Sequence, residues 1–158
     1  MTDGRELLRR AQDAGLRVAP KPGGKLVVWG PRRAEHVARL LLAHKPAVIG
    51  AIAADWRARH REALTYWGAF RASQAARLAW GEIEGRWHRL HGRRWPAWQC
   101  AGCDAPIGGL PALDLADGNR VHLDRLNCLL AFGKRWRSEA TTSLKALGLN
   151  APPTYGPP

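Results

Sequence analysis

The sequence predicts an α+β fold that is mainly helical. It reads as a small helix–hairpin–helix–helix domain, a helical middle and a C-terminal treble-clef-like zinc module. Three observations carry that prediction. Over most of the chain, apolar residues recur every three or four positions, the mark of amphipathic helices. Two short stretches alternate instead, around Pro/Gly or Asp-Gly punctuation, the mark of β-hairpins. All three cysteines fall within Cys100–Cys128. The expected boundaries are a helix–hairpin–helix–helix domain at 1–55, an Arg/Trp-rich middle at 56–98, the zinc module at 99–149 and a proline-rich, disordered tail at 150–158.

The elements follow in order. Residues 3–14 place Leu7, Leu8 and Ala11 on one face, and Gly15 is positioned to end that helix in a left-handed cap. Leu16-Arg-Val18 and Lys25-Leu-Val-Val-Trp29 form the arms of a hairpin across Pro20–Gly24. Leu16, Val18, Leu26 and Val28 face inward and Trp29 faces the other side. Gly30-Pro31 stops the second strand, and proline suits a first helical turn. A helix over 32–44 follows, with Val37, Leu40 and Leu41 on one face. It breaks before Pro46, because the residue preceding a proline is pushed from the α region.

A third helix from Pro46 aligns Val48, Ile49, Ile52 and Trp56, and extends to about Phe70. Ser73 is placed to N-cap the next helix. There Ala76, Trp80, Ile83, Trp87 and Leu90 form one apolar stripe, read as core. Gly81 and Gly85 weaken it or permit close packing. After a Gly/Pro loop at 106–111, residues 112–115 and 120–123 form a second hairpin around Asp117-Gly118, a favoured turn pair. A helix from about Asp124 is interrupted at Gly133. A last helix over 134–147 aligns Trp136, Ala140, Leu144 and Leu147, and Gly148 ends it.

Cys100-Ala-Gly-Cys103 sets two thiols two residues apart. Eighteen residues pass before His122 and five more before Cys128. Zinc takes thiolate sulfur and imidazole nitrogen, and a structural site closes with four protein ligands. Cys100, Cys103, His122 and Cys128 are therefore the expected set for a structural Zn²⁺. Asp104, Asp124, His88 and His91 stand as alternatives to His122. A free dithiol with an ordinary buried Cys128 is the plainer reading. A thioredoxin-like redox pair fits poorly, since no βαβ pattern surrounds the motif.

Charge points to a partner class. The net charge is +12. It is uneven: residues 1–50 carry ten Lys/Arg against four Asp/Glu, residues 51–98 nine against four, and residues 99–158 six against five. Such a field favours polyanions, above all nucleic acid. An arginine-rich composition of this kind also arises from GC-rich coding. In the run from Arg86 to Trp98, Arg86, Arg89, Arg93 and Arg94 are candidates for phosphates, while Trp95 or Trp98 stacks on a base. A solvated basic linker with tryptophans packed on the zinc module is the competing reading.

Several classes are disfavoured. No stretch approaches eighteen apolar residues, so no membrane span is expected. The first residues lack the apolar core of a secretory signal, and three clustered cysteines do not suit a disulfide framework. A reducing cytoplasm is expected. His60-Arg-Glu62 with Cys100-x-x-Cys103 imitates a zinc deaminase, but Pro96 lies too far before Cys100 and two ligands are left over. No nucleophile elbow, Walker loop or dinucleotide fingerprint occurs. No enzymatic activity is expected.

Leu8, Gly15-Leu16-Arg17-Val18, Lys25-Leu26-Val27-Val28, Gly30-Pro31 and Leu40 through His44-Lys45 form a pattern. By it, residues 1–55 resemble the N-terminal docking domain named after a tubulysin synthetase subunit. The resemblance implies a homodimer through residues 1–55. It also implies a hairpin that captures an acidic segment of a partner protein, with Arg17, Lys21, Lys25 and Trp29 as contacts. The same small fold is similar to stand-alone proteins of bacterial mobile elements and prophages, where it precedes a short cysteine module. Together these readings lead to a non-enzymatic, zinc-containing adaptor that binds nucleic acid or serves a nucleic-acid-processing complex. The alternative is a protein-docking module.

Overall fold

Asp3 opens the first helix, its Oδ1 accepting from the Arg5 N–H at 3.0 Å. Such a cap contributes about 1 kcal/mol by satisfying an end donor. The structure is a computed structural model and describes residues 3–153, at Leu126 the backbone only. The expected tail at 150–158 is thus described to residue 153, and its last five residues lie outside the described residues. The chain is mainly helical, with five α-helices and two small two-stranded sheets among the described residues. It divides into two units: Met1–Ile83 together with Thr142–Pro158, and Glu84–Thr141.

In the first unit, α1 spans Gly4–Asp13 and buries Leu7 and Ala11. Gly15, at φ 74°, ends it in the left-handed conformation that other residues rarely adopt. Strands β1 (Arg17–Lys21) and β2 (Lys25–Trp29) pair antiparallel, with Val18 opposite Val28 and Pro20 opposite Leu26. Proline has no N–H to donate, which an edge strand tolerates. The turn therefore shrinks from the expected 20–24 to the residues between the strands. Leu16 and Leu26 are buried, and Val18 and Val28 half-buried.

Past Pro31, a 3₁₀ turn (Arg32–Ala34) leads into α2 (Glu35–Ala43) and then α3 (Lys45–Tyr66). Val48, Ile52, Trp56 and Ala63 are buried along α3. The helix runs unbroken past residue 55, as expected, and the division into units falls elsewhere, at 83/84 and 141/142. The helix stops at Tyr66, short of Phe70. Helix α4 spans Ala72–His91, so Ser73 lies inside it and caps nothing. The buried stripe of its first half is Ala75, Ala79, Trp80 and Ile83, while Ala76 is only half-buried. His60 packs edge-on against Trp80, with ring centroids 5.7 Å apart. Burial there pushes the His60 pKa down. Residues 142–149 return to this unit, burying Leu144, Leu147 and Leu149. Arg57 Nη1 donates to the Leu147 carbonyl at 3.4 Å.

The second unit holds the rest of α4, the hairpin β3 (Ala112–Asp114) and β4 (Arg120–His122), and α5 (Leu126–Ala146) up to Thr141. Residues 84–98, assigned from sequence to a separate middle, belong here with the cysteines. Helix α5 passes through Gly133 without the expected interruption. A glycine in a helix interior costs only about 1 kcal/mol relative to alanine, less than the burial of Cys128 and Phe132 on one side of it and Ala140 on the other returns. Trp87 is buried as expected, but Leu90 is 48% exposed, and Glu84 and His88 are buried instead. Thr141 Oγ1 donates to Glu84 Oε1, which accounts for that buried carboxylate. The core of the unit is Trp95, Cys100, Ala101, Ile107, Val121, Cys128 and Phe132.

Candidate metal centre

Cys100 to Cys103 form a tight knuckle. Cys100 N donates to Ala105 O and Asp104 N donates to Cys100 O, both at 2.9 Å, which folds the chain back on itself. Asp104 closes the turn in the left-handed region, at φ 62°. Its carboxylate is tied down there, accepting from Trp95 Nε1 at 2.8 Å and pairing with Arg135 at 2.9 Å. Arg135 and Trp95 hold the Asp104 carboxyl below its usual pKa.

Ala101 is fully buried, its N–H donating to Arg120 O and its carbonyl accepting from Arg135 Nη1. The knuckle is thereby pinned to both β4 and α5. Gly102 sets how close it comes: a Cβ there would lie 2.1 Å from the Cys128 carbonyl oxygen. Any side chain at this position would push the knuckle off α5.

The hairpin delivers His122 at the end of β4, and Cys128 sits in the first turn of α5. Four ligand atoms, from Cys100, Cys103, His122 and Cys128, lie within 4.8 Å of one another and could hold a metal ion. His122 Nδ1 is 3.4 Å from Cys103 Sγ and 3.7 Å from Cys128 Sγ. A tetrahedral zinc, with sulfur at about 2.3 Å and nitrogen at about 2.0 Å, has S···N edges of about 3.5 Å. The donor set therefore fits such an ion. The other imidazole nitrogen, Nε2, donates to Pro106 O at 3.3 Å. That bond fixes the tautomer and leaves the Nδ1 lone pair for a metal, the usual support for a ligating histidine. None of the four alternatives to His122 joins the cluster. Asp104 is engaged with Trp95 and Arg135, His88 with Asp117, His91 stacks on Trp87 at 4.5 Å, and Asp124 is exposed.

Electrostatics separate the thiols. Burial pushes Cys100 up, but the N–H groups of His122, Cys103 and Gly102 aim at its sulfur and hold its pKa down at about 6. Gly102 N reaches that sulfur at 3.4 Å. Burial, then sharing with Cys103 and Cys100, pushes Cys128 up to about 11. A thiol cluster of this kind resists carrying several negative charges at once, and a divalent cation relieves it.

Beside the cluster lies a polar network that sequence reasoning missed. His88 Nε2 meets Asp117 Oδ2 at 2.5 Å, and both side chains are only 9% exposed. Asp117 also accepts from Asn119, from its N–H at 2.9 Å and from Nδ2 at 2.8 Å. Asn119, 1% exposed, accepts in turn from Trp95 N at 2.9 Å. Burial raises the Asp117 pKa, but the bonds from Asn119 and His88 bring it below its usual value. The local Asp117–Asn119 turn was legible, since aspartate commonly bonds the backbone two residues on. Its partner 29 residues earlier was not.

The nominated nucleic-acid residues separate on inspection. Arg89, Arg93 and Arg94 are exposed and Arg86 half-buried. Arg94 caps α4, donating to the carbonyls of His88, Arg89, Gly92 and Arg93. Trp95 is a correction: it is buried in the core, its indole N–H spent on Asp104, so it offers no face to a base. Arg93 lies over its ring at 4.4 Å. Trp98, 62% exposed, is open. In the other unit, the register sets Arg17 across from Trp29 and Lys21 across from Lys25. The Arg17 guanidinium stands 5.4 Å over the Trp29 ring.

No protein-family profile, curated protein or solved structure matches the chain. Among the described residues, no single helix is long and apolar enough to cross a membrane.

Proposed function

We propose that the chain is a non-enzymatic adaptor that carries one structural zinc ion and binds nucleic acid. The single observation behind this reading is the Cys100–Cys103–His122–Cys128 cluster, with Nε2 of His122 tied to Pro106. Four protein donors would close the coordination shell, and a closed shell leaves no position for water or substrate. Knuckle, hairpin and helix in this order support a treble-clef-like module. Three thiolates and one imidazole around Zn²⁺ carry a net charge of about −1 by the charges of the donors, and Arg135, beside the thiols, offsets it.

The net charge of +12 supports the nucleic-acid part. Long-range attraction of this sign brings polyanions to the surface whatever their sequence. The resemblance of residues 1–55 to stand-alone mobile-element and prophage proteins is consistent with work in a nucleic-acid-processing complex. Elemental analysis of purified protein tests the metal, with one zinc per chain expected. A mobility-shift titration at two salt concentrations tests binding. No zinc, or no shift of any DNA or RNA at low salt, overturns the corresponding half of the proposal.

A second reading has its own observation. A shallow cleft of about 530 Å³ beside the hairpin is lined by Leu16, Val28, Trp29, Pro31, Arg32 and Glu35. With Lys21 and Lys25 paired across the same hairpin, an acidic peptide would find cations and an apolar step together. Trp29→Ala would then abolish capture of such a peptide and leave nucleic-acid binding intact.

A further inference from the structure

The turn between α3 and α4 carries three aromatic side chains that the metal centre does not use. Tyr66, at the end of α3, is 75% exposed, and Phe70 is 44% exposed. Half-buried Trp67 sits between them. Its ring meets Tyr66 edge-on at 5.0 Å and Phe70 at 5.7 Å. Trp67 Nε1 donates to Glu82 Oε2 at 2.9 Å, anchoring the middle ring to α4. Backbone bonds from Trp67 N to Ala63 O, Gly68 N to Thr65 O and Phe70 N to Trp67 O fix the turn itself. The rings are held in place before any partner arrives.

Contiguous exposed apolar surface of this kind marks a contact site. The neighbouring charge selects the partner. Arg61 and Arg71 flank the cluster in sequence, and both are exposed. Among the described residues, neither guanidinium makes an ion pair or hydrogen bond. The unit that holds them carries sixteen Lys/Arg against seven Asp/Glu. Glu62, one helical turn before Tyr66, is the acidic exception nearby in sequence.

We infer that Tyr66, Trp67 and Phe70 form a stacking platform for single-stranded nucleic acid, with Arg61 and Arg71 taking adjacent phosphates. Rings beside cations are the chemistry of single-strand binding, because every unpaired base offers a π-face. A duplex keeps its bases stacked inside and presents mainly phosphate and sugar to a flat surface. This inference rests on the nucleic-acid reading above. It places the stacking surface in the first unit, not in the Arg86–Trp98 run, where Trp95 is buried.

The test uses the full-length, zinc-loaded protein and fluorescence anisotropy. The probes are a labelled oligothymidylate and a duplex of equal length, each at two salt concentrations. Tyr66→Ala with Phe70→Ala weakens single-strand binding by about 10-fold or more, the range for losing base–aromatic stacking. Duplex binding stays unchanged. Tyr66→Phe keeps wild-type affinity, since it keeps the ring. Arg71→Ala lowers the salt dependence by about one phosphate's worth. Glu62→Gln tightens both probes. Wild-type affinity in the folded double variant overturns the platform, and so does a loss in Tyr66→Phe equal to that in the double variant. Binding by the wild type that weakens only in Trp98→Ala overturns the platform and leaves the nucleic-acid reading standing. Failure of the wild type to bind either probe at low salt overturns both.

Discussion

The first unit buries Leu7, Leu41, Val48, Trp56 and Ile83, large apolar side chains drawn from four helices. The second has a core of seven residues, two of which are candidate metal ligands, and leans on the buried His88–Asp117–Asn119 bonds. One unit is held by area, the other by a few directed contacts. Area is forgiving, because the loss of one side chain leaves the rest. Directed contacts are not: removing one partner strands the others in a dry interior, where an unmatched polar group costs about 1–3 kcal/mol.

If the cluster holds the zinc ion proposed for it, the sharpest way to break this contrast is to remove that ion. Apparent binding free energies of structural zinc run to about 10–16 kcal/mol in small modules. A strong chelator, or Cys100→Ser, is expected to abolish amide hydrogen-exchange protection across residues 95–130 and to spare α1 and α3. Uniform loss through both units would erase the distinction.

Trp56→Ala probes the other side. It should cost about 4 kcal/mol, the usual range for emptying a large aromatic site, and lower the denaturant midpoint while the metal content of the protein stays that of the wild type. A change in metal stoichiometry would join what the comparison separates.

Asp117→Asn should cost about 2 kcal/mol, since it disarms a charged acceptor of several buried bonds. The pH dependence has a definite sign. The folded-state pKa of Asp117 lies below the unfolded value, so its contribution is full above about pH 4 and is lost as pH falls through the folded value. The stability difference between wild type and Asp117→Asn should therefore shrink on acidification and vanish at low pH. A gap that grows instead would reverse the assignment.

Ser73→Ala is the smallest and serves as a control. Ser73 is the second residue of α4, not its cap, so the change should lie within about 0.5 kcal/mol.

The same contrast explains what could be read in advance. The clustering of Cys100, Cys103, His122 and Cys128 was legible because their chemistry belongs to residue types: three thiols and an imidazole at these spacings suit one metal ion. The first hairpin was legible from Leu16, Leu26 and their alternation. Other features depended on residues distant in sequence. The stripe of α4 was expected at Ala76, Trp80, Ile83, Trp87 and Leu90; Trp80, Ile83 and Trp87 are buried as expected, while Ala75, Ala79 and His88 take the places of Ala76 and Leu90. Trp95 was open to two readings, stacking on a base or packing beside the cysteines; Asp104 and Phe132 enclose it, as in the second. Gly133 looked like a break and is carried through by the packing before and after it. The 55/56 boundary followed the extent of the family resemblance and the 98/99 boundary the start of the cysteine motif, whereas the chain changes units inside helices α4 and α5.

That last arrangement sets an order of events during synthesis. The unit that holds the cluster is one uninterrupted stretch of chain, inserted between two parts of the other. Leu144, Leu147 and Leu149 follow all four cluster residues in the chain, so the apolar core of the first unit is complete only once they have been made. An ion of the kind proposed would find its four donors already synthesised before that point.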